Sequence, residues 1–317
     1  MFNPDIALRQ DHLPISNMSL GFHVSKTRKK RVCEMPVALK EDMQLLADYG
    51  FKPCAQIFVS GPQGFKETLK EADKLAIAAL TCNGLKLVIH GAYVDNPWSM
   101  NNASIANIRT ELKIAARIGA TGVIIHLAAK ALIEENLKYV IEGITKDACP
   151  EVMEALPILW LEINAAKSSP ATYETGEKII ALFDRVYKCN THQAKIGLCI
   201  DTAHLFSCGT NLSTYQAAAE WFSYIPQDLM DLGLVMLHLN DSASKCGSGI
   251  DRHEQLAVGN IWADYNPTTG HLPFKDSGLA YILNWAESNN IVTILERYED
   301  GIKGDLALIY SMGFFKN

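Results

Sequence analysis

The chain has 317 residues, and 29 Lys plus Arg against 35 Asp plus Glu leave a formal charge of −6, an acidic balance that argues mildly against nucleic-acid binding through bulk charge. A hydrophobic fraction of 48% with 20% charged residues excludes disordered and fibrous classes, and no apolar run approaches the roughly 18 residues of a membrane helix. The eight cysteines stand without CxxC pairs, which fits reduced thiols better than a disulfide framework or a zinc finger.

Residues 1–18 show no strong periodicity and read as an N-terminal extension or a short cover over a barrel bottom. Their start, MFNPDIALRQDHLPISN, has no apolar core behind a basic segment. That is not a secretory signal, and the expected location is intracellular, cytoplasm or nucleus. From residue 19 onward two kinds of segment alternate. Short apolar runs recur as LGFHV near 20, AQIFV from 55, KLVIH from 86, GVIIH from 122, ILWLEI from 158, IGLCID from 196, LVMLHL from 234 and IVTILE from 291. Their apolar positions are continuous, so each reads as a strand buried on both faces. Between them lie helical spacings: Leu69, Ala72, Ala76 and Leu80 closing near Gly84; Ile105, Ile108, Leu112, Ala115 and Ile118 ending at Gly119; Ile179, Leu182 and Val186. Eight strands alternating with helices over residues 19–317, without a long linker, predict one α/β domain, a single (β/α)8 TIM barrel. A doubly wound open sheet is the runner-up, but the GxGxxG turn of its dinucleotide-binding members is absent.

Most of these runs end in a residue that an apolar strand has no structural reason to carry: His90, His126, Glu162, Asp201, His238 and Glu296. The first four intervals are 36, 36, 39 and 37 residues, each one βα unit; the last, 58, has room for an inserted loop. Each residue then sits at the C-terminal end of a successive strand, and in a barrel those ends form one ring, where active sites of this fold lie. Unpaired carboxylates are costly in such a cavity, and divalent cations remove that cost. Histidine with carboxylate suits zinc or manganese. Two short motifs add donors. In DTAHLFSCG, a helical turn after the strand lets Asp201 and His204 both point inward. In GIDRHE, an extended backbone puts Asp251 and His253 on one side, with Arg252 opposite. Nine donors are too many for one catalytic zinc, which takes about three protein ligands, and imply two or three ions.

The sequence resembles the endonuclease IV family of apurinic/apyrimidinic endonucleases over nearly all of residues 19–317. The resemblance rests on LVIHGAYVDN, GLCIDTAHLFSCG and above all HLNDSASKCGSGIDRHEQLAVGNI, with Glu162 and the ILE ending at Glu296. It implies a TIM barrel with three zinc ions at its C-terminal face. One would be held by His90, His126 and Glu162, a second by Glu162, Asp201, His238 and Glu296, and the third by His204, Asp251 and His253; manganese is an option at one site. It also implies catalytic roles for Glu162 and Glu296 and hydrolysis of the phosphodiester 5′ to an abasic site, leaving a 3′ hydroxyl and a 5′ deoxyribose phosphate. Three Zn²⁺ would formally cancel the charge of −6, so the acidic composition does not exclude DNA.

The implied partner is double-stranded DNA containing abasic sites, met by a monomer without membrane contact. Tyr93 and Val94 match the family's minor-groove loop, where an aromatic can stack in place of the missing base; rim packing is the plain alternative for Tyr93. In FVSGPQGF, Gln63 stands where bacterial relatives carry a wedge arginine and Phe65 where they carry tryptophan. Arg252 is the further candidate contact. Other departures are KTRKK in place of a glycine-rich stretch, Glu162-Ile163-Asn164-Ala165-Ala166 for ENTAG, and LAVGN for LGEGN. The basic run KTRKKR reads equally as a phosphate contact, a solvated loop or a nuclear signal. His23, at the end of the first strand, reads equally as a ring residue, a core residue or a support behind the ligands, and the cysteines read as packing residues. The competing function is a sugar isomerase or epimerase on the related barrel, which needs Glu162, Asp201, His238 and Glu296 but not His90, His126, Asp251 or His253.

Overall fold

A computed structural model gives the fold. It describes residues 17–312 except 26, 29–30, 33, 62–63, 65, 94–95, 129–133, 147–155, 170–171, 192 and 298. All eight expected strands are present: β1 (Ser19–His23), β2 (Lys52–Ile57), β3 (Lys86–His90), β4 (Gly122–His126), β5 (Ile158–Glu162), β6 (Ile196–Asp201), β7 (Val235–His238) and β8 (Val292–Leu295). Every strand pairs in parallel with its neighbour in sequence, and β8 closes on β1 through Ser19↔Val292 to Phe22↔Leu295. The result is a TIM barrel.

The helices among the described residues are α1 (Met35–Asp48), α2 (Glu71–Cys82), α3 (Asn102–Ile118), α4 (Glu134–Thr145), α5 (Gly176–Cys189), α6 (Thr202–Cys208), α7 (Tyr215–Phe222), α8 (Gln227–Asp231), α9 (Gly278–Ser288) and α10 (Glu299–Ser311). The apolar spacing that predicts α3 is its buried face, and Gly119 ends it with φ +70, a left-handed conformation that glycine adopts without steric cost. The pattern from Leu69 starts its helix two residues later, at Glu71, where the Lys70 N–H donates to Asp73 Oδ2 at 3.0 Å and closes the first turn. Side-chain caps by Asn101, Thr175, Thr214 and Ser277 start α3, α5, α7 and α9.

Side chains on a strand alternate between faces. One set packs outward against the helices in the main core. The other fills the lumen with Cys54, Val88, Ile124, Trp160, Cys199, Met236 and Ile294. On β1 the inner position is Gly21, where an added Cβ would overlap the Cys54 carbonyl. The 58-residue interval holds the expected insertion: a two-stranded antiparallel ribbon, Asp241–Ser242 with His253–Glu254, then two 3-10 turns and α9. None of the described helices is long and apolar enough to cross a membrane.

Candidate metal centre

Two residues beyond each lumen residue, on the same face, the side chains become polar. Gly21, Cys54, Val88, Ile124, Trp160, Cys199, Met236 and Ile294 are followed by His23, Gln56, His90, His126, Glu162, Asp201, His238 and Glu296. Six of these are the residues expected at the ends of the apolar runs, Glu296 standing one residue past the end of β8. The other two, His23 and Gln56, complete the ring from β1 and β2.

Glu162 lies fully buried at the centre. Its Oε2 is 3.0 Å from His126 Nε2 and 3.3 Å from His90 Nε2, while its Oε1 is 3.0 Å from His238 Nδ1. The two oxygens therefore face two different sets of donors. On the second side, His238 Nδ1 also stands 3.3 Å from Glu296 Oε2 and 3.8 Å from Asp201 Oδ2. Donor atoms of His90, His126 and Glu162 lie within 4.8 Å of one another, as do those of Glu162, Asp201, His238 and Glu296.

The third group is built by local structure. Asp201 caps α6: its Oδ1 accepts from the His204 N–H at 2.9 Å, which leaves Oδ2 turned to the cluster, 3.6 Å from His253 Nε2. The cap carries His204 inward. The ribbon pairing Ser242↔His253 brings in the other motif, and Asp251 places Oδ1 3.1 Å from His253 Nε2 and Oδ2 3.2 Å from His204 Nε2. Asp201, His204 and His253 form the compact triplet within 4.8 Å, so Asp201 borders two groups where the family resemblance implies one. All nine expected donors thus meet at one end of the barrel. Asp251 is the exposed member.

Charge in the cluster is balanced by proximity. Burial would raise the Glu162 carboxyl, but His126 and His238 hold it well below the carboxylate range. Glu296 is likewise held at about 2, burial being outweighed by His238 and others. Against burial, the surrounding carboxylates lift His204 well above the usual imidazole range and His253 to about 9, while Cys199, then Glu296 and Glu162, lift His238 well above it. Protons on these imidazoles stand where a cation's charge would otherwise be needed. The donor chemistry fits a metal in a second way. Glu162 Oε2, His204 Nε2 and His253 Nε2 are buried without a hydrogen bond of proper geometry, and all three face the interior of the cluster. Nitrogen and carboxylate donors left open in this manner suit zinc or manganese. Cys199 also approaches Glu162 and His238, but burial pushes its thiol up to about 12, and a protonated thiol is a poor ligand.

Sequence reasoning missed two supporting residues. Gln56 bonds Glu296, His23 and His238 from β2. Asn240 donates to Asp201 Oδ2 at 2.8 Å and accepts from the Glu296 N–H at 2.9 Å, tying β6 to β8. The signal for Gln56 was a lone polar residue inside an apolar run. His23 fits the supporting role among its expected options: it hydrogen-bonds Gln56, and burial pushes its imidazole down to about 4. Tyr93, half exposed, leans on His90, His126 and Phe58 with ring centroids 5.0, 5.5 and 5.5 Å away, which puts it at the rim directly over the cluster. Arg252 is exposed between Asp251 and His253. Gln63, Val94 and the side chains of the KTRKKR run lie outside the described residues.

The sequence profile of the xylose isomerase-like TIM barrel family matches residues 43–309. The chain is 36% identical over 247 residues to a probable AP endonuclease of African swine fever virus (isolate Tick/South Africa/Pretoriuskop Pr4/1996), covering 77% of this chain and 78% of that one. It is 25% identical over 225 residues to a probable endonuclease 4 of Streptomyces avermitilis, covering 66% and 69%. A crystal structure described as AsfvAP:AG superposes with a TM-score of 0.81 at 29% identity, covering 95% of this chain and 100% of that one.

Proposed function

The chain belongs to the xylose isomerase-like TIM barrel family, among its endonuclease IV-like AP endonucleases, and from this premise we propose that it is a metal-dependent DNA-repair endonuclease. It cuts the phosphodiester 5′ to abasic sites in duplex DNA, leaving a 3′ hydroxyl and a 5′ deoxyribose phosphate. The observation that carries this reading is Glu162, buried with its two oxygens turned to separate donor sets. A sugar isomerase has use for one of those sets; cleavage at phosphorus has use for both, because opposite oxygens of the phosphate must be stabilised together.

Three zinc ions would be held, by His90, His126 and Glu162, by Glu162, Asp201, His238 and Glu296, and by His204, Asp251 and His253, with manganese acceptable at one. When bound, such ions supply positive charge beside the phosphate and make water acidic enough to lose a proton near neutrality. The chain's own residues do the rest. Glu162 fixes the separation of the first two donor sets. Glu296, held by Gln56 and by Asn240 on its backbone N–H, keeps one oxygen turned inward. Tyr93 offers an exposed aromatic face at the rim for a sugar that lacks its base, and Gln63, Val94 and Arg252 are the further DNA contacts.

The test is incubation of purified protein with an abasic duplex, followed by end-group analysis. The expected result is a single nick with a 3′ hydroxyl, abolished by a strong chelator and restored by zinc. Absence of nicking together with turnover of a keto sugar would replace this reading by the isomerase.

A further inference from the structure

We propose that Gln56 is a positioning residue that selects the tautomer of His238 in which Nδ1 is free to bind a cation; the proposal rests on reading the mouth cluster as a metal centre. Gln56 is fully buried, on the inner face of β2, and its amide is saturated. Its Nε2 stands 2.6 Å from Glu296 Oε1 and 3.1 Å from His23 Nδ1, and its Oε1 stands 2.8 Å from His238 Nε2.

The chemistry of the partners fixes the direction of each bond. An ionised carboxylate only accepts, so the end of the amide that faces Glu296 must be the NH2. The other end is then the carbonyl, which also only accepts. His238 Nε2 must carry the hydrogen that this carbonyl receives. A neutral imidazole protonated on Nε2 keeps its lone pair on Nδ1, and Nδ1 is the atom that faces Glu162, Glu296 and Asp201. Orientation therefore passes from Glu296 through Gln56 to His238.

Comparison with the other histidines shows why a side chain is needed here. His90, His204 and His253 turn Nε2 toward the cluster and rest Nδ1 against backbone carbonyls, of Gly91 at 2.8 Å, Ile163 at 2.7 Å and Glu296 at 3.3 Å. Metal-binding histidines as a class are oriented by such a bond on the opposite ring nitrogen. His238 is reversed: Nδ1 faces the cluster and Nε2 points across the lumen to β2. Carbonyls of a barrel strand lie along the sheet and not into the lumen, so the acceptor must be a side chain. Of the side chains of this length, glutamine alone accepts from His238 and donates to Glu296 without changing protonation state.

The experiment compares wild type and Gln56→Met as zinc-loaded proteins. Methionine keeps the length of the side chain without the amide. Zinc affinity is measured by competition with a chromophoric chelator, the fold is checked by circular dichroism, and the His238 ring is read from long-range proton–nitrogen spectra. Wild type should hold zinc with His238 protonated on Nε2. Gln56→Met should weaken one zinc per chain by about 10–100-fold. Wild-type protein that binds zinc with His238 protonated on Nδ1 overturns the role of Gln56 alone, and so does Gln56→Met binding as tightly as wild type. Wild-type protein that holds no zinc overturns the metal-centre reading and this role with it. Should Gln56→Met fail to fold, the wild-type spectrum still decides: zinc-loaded protein with His238 protonated on Nδ1 overturns the proposal.

Discussion

The lumen of this barrel has two levels that differ in character although the same strands build both. The floor is apolar, with Cys54, Val88, Ile124, Trp160, Cys199, Met236 and Ile294; one pleat further, roughly 6.6 Å along each strand, the mouth carries Gln56, His90, His126, Glu162, Asp201, His238 and Glu296. Floor side chains gain from burial by leaving water. Mouth side chains lose by it, since desolvated charges cost free energy unless closely paired. The floor is there for the fold. The mouth is tolerated for what it can hold, and the chain keeps nine donors where a barrel needs none.

The sharpest way to break this division is to change one residue of the mouth that faces both donor sets. Glu162→Gln should lower nicking of an abasic duplex by more than about a hundredfold, measured per folded molecule, because a single change disturbs two sites; near-normal turnover would remove the bridging role. Tyr93→Ala tests the rim above it. Loss of its stacking face should weaken abasic-duplex binding by about 1–3 kcal/mol with zinc content unchanged, and unaltered affinity would reduce Tyr93 to a packing residue on His90 and His126. The floor should respond in the opposite sense. Ile124→Val should lower stability in urea by about 0.5–1.5 kcal/mol and leave zinc content and nicking intact; a matching loss of activity would mean that the two levels are not separable.

The smallest effect sharpens the electrostatic side of the contrast. In protein stripped of metal, the His253 imidazolium is stabilised by Asp201, Asp251 and Glu296 and keeps its proton to about 9. A base whose folded value is raised contributes stability below its unfolded value of about 6.5, and loses it as pH rises through the folded value. Thermal melts of the metal-free protein should therefore decline between pH 6.5 and 9, and zinc-loaded protein should not follow them. Identical pH dependence with and without zinc would contradict the pairing.

How much of this was legible in the sequence follows from the same two levels. Continuous apolar runs located every strand, since burial on both faces leaves no alternation to misread. Polar residues at the ends of these runs then locate six of the mouth residues, five of them spaced by one βα unit. Interval counting fails for Gln56 because it is the second residue of AQIFV, three before the end of the run, and so looks internal. Its direction is set by parity with Cys54 on the pleat, and that becomes visible only when Gln56↔Val88 fixes the register against β3. His23 was left open for the same reason. Asn240 lies beyond the end of β7, where strand periodicity no longer constrains a side chain. Asp201 shows another limit: spacing predicted that it and His204 turn inward together, but the second role of Asp201, bordering the third donor group, depends on the ribbon that brings His253 from fifty residues away.

The central claim is that residues from separate strands gather around several ions. Anomalous diffraction at the zinc edge from crystals of the zinc-loaded protein tests it directly. Three peaks are expected at the mouth, beside His90 and His126, beside His238 and Glu296, and beside His204 and His253, with Glu162 touching the first two. A mouth without anomalous density, or one ion bound away from Glu162, would contradict it.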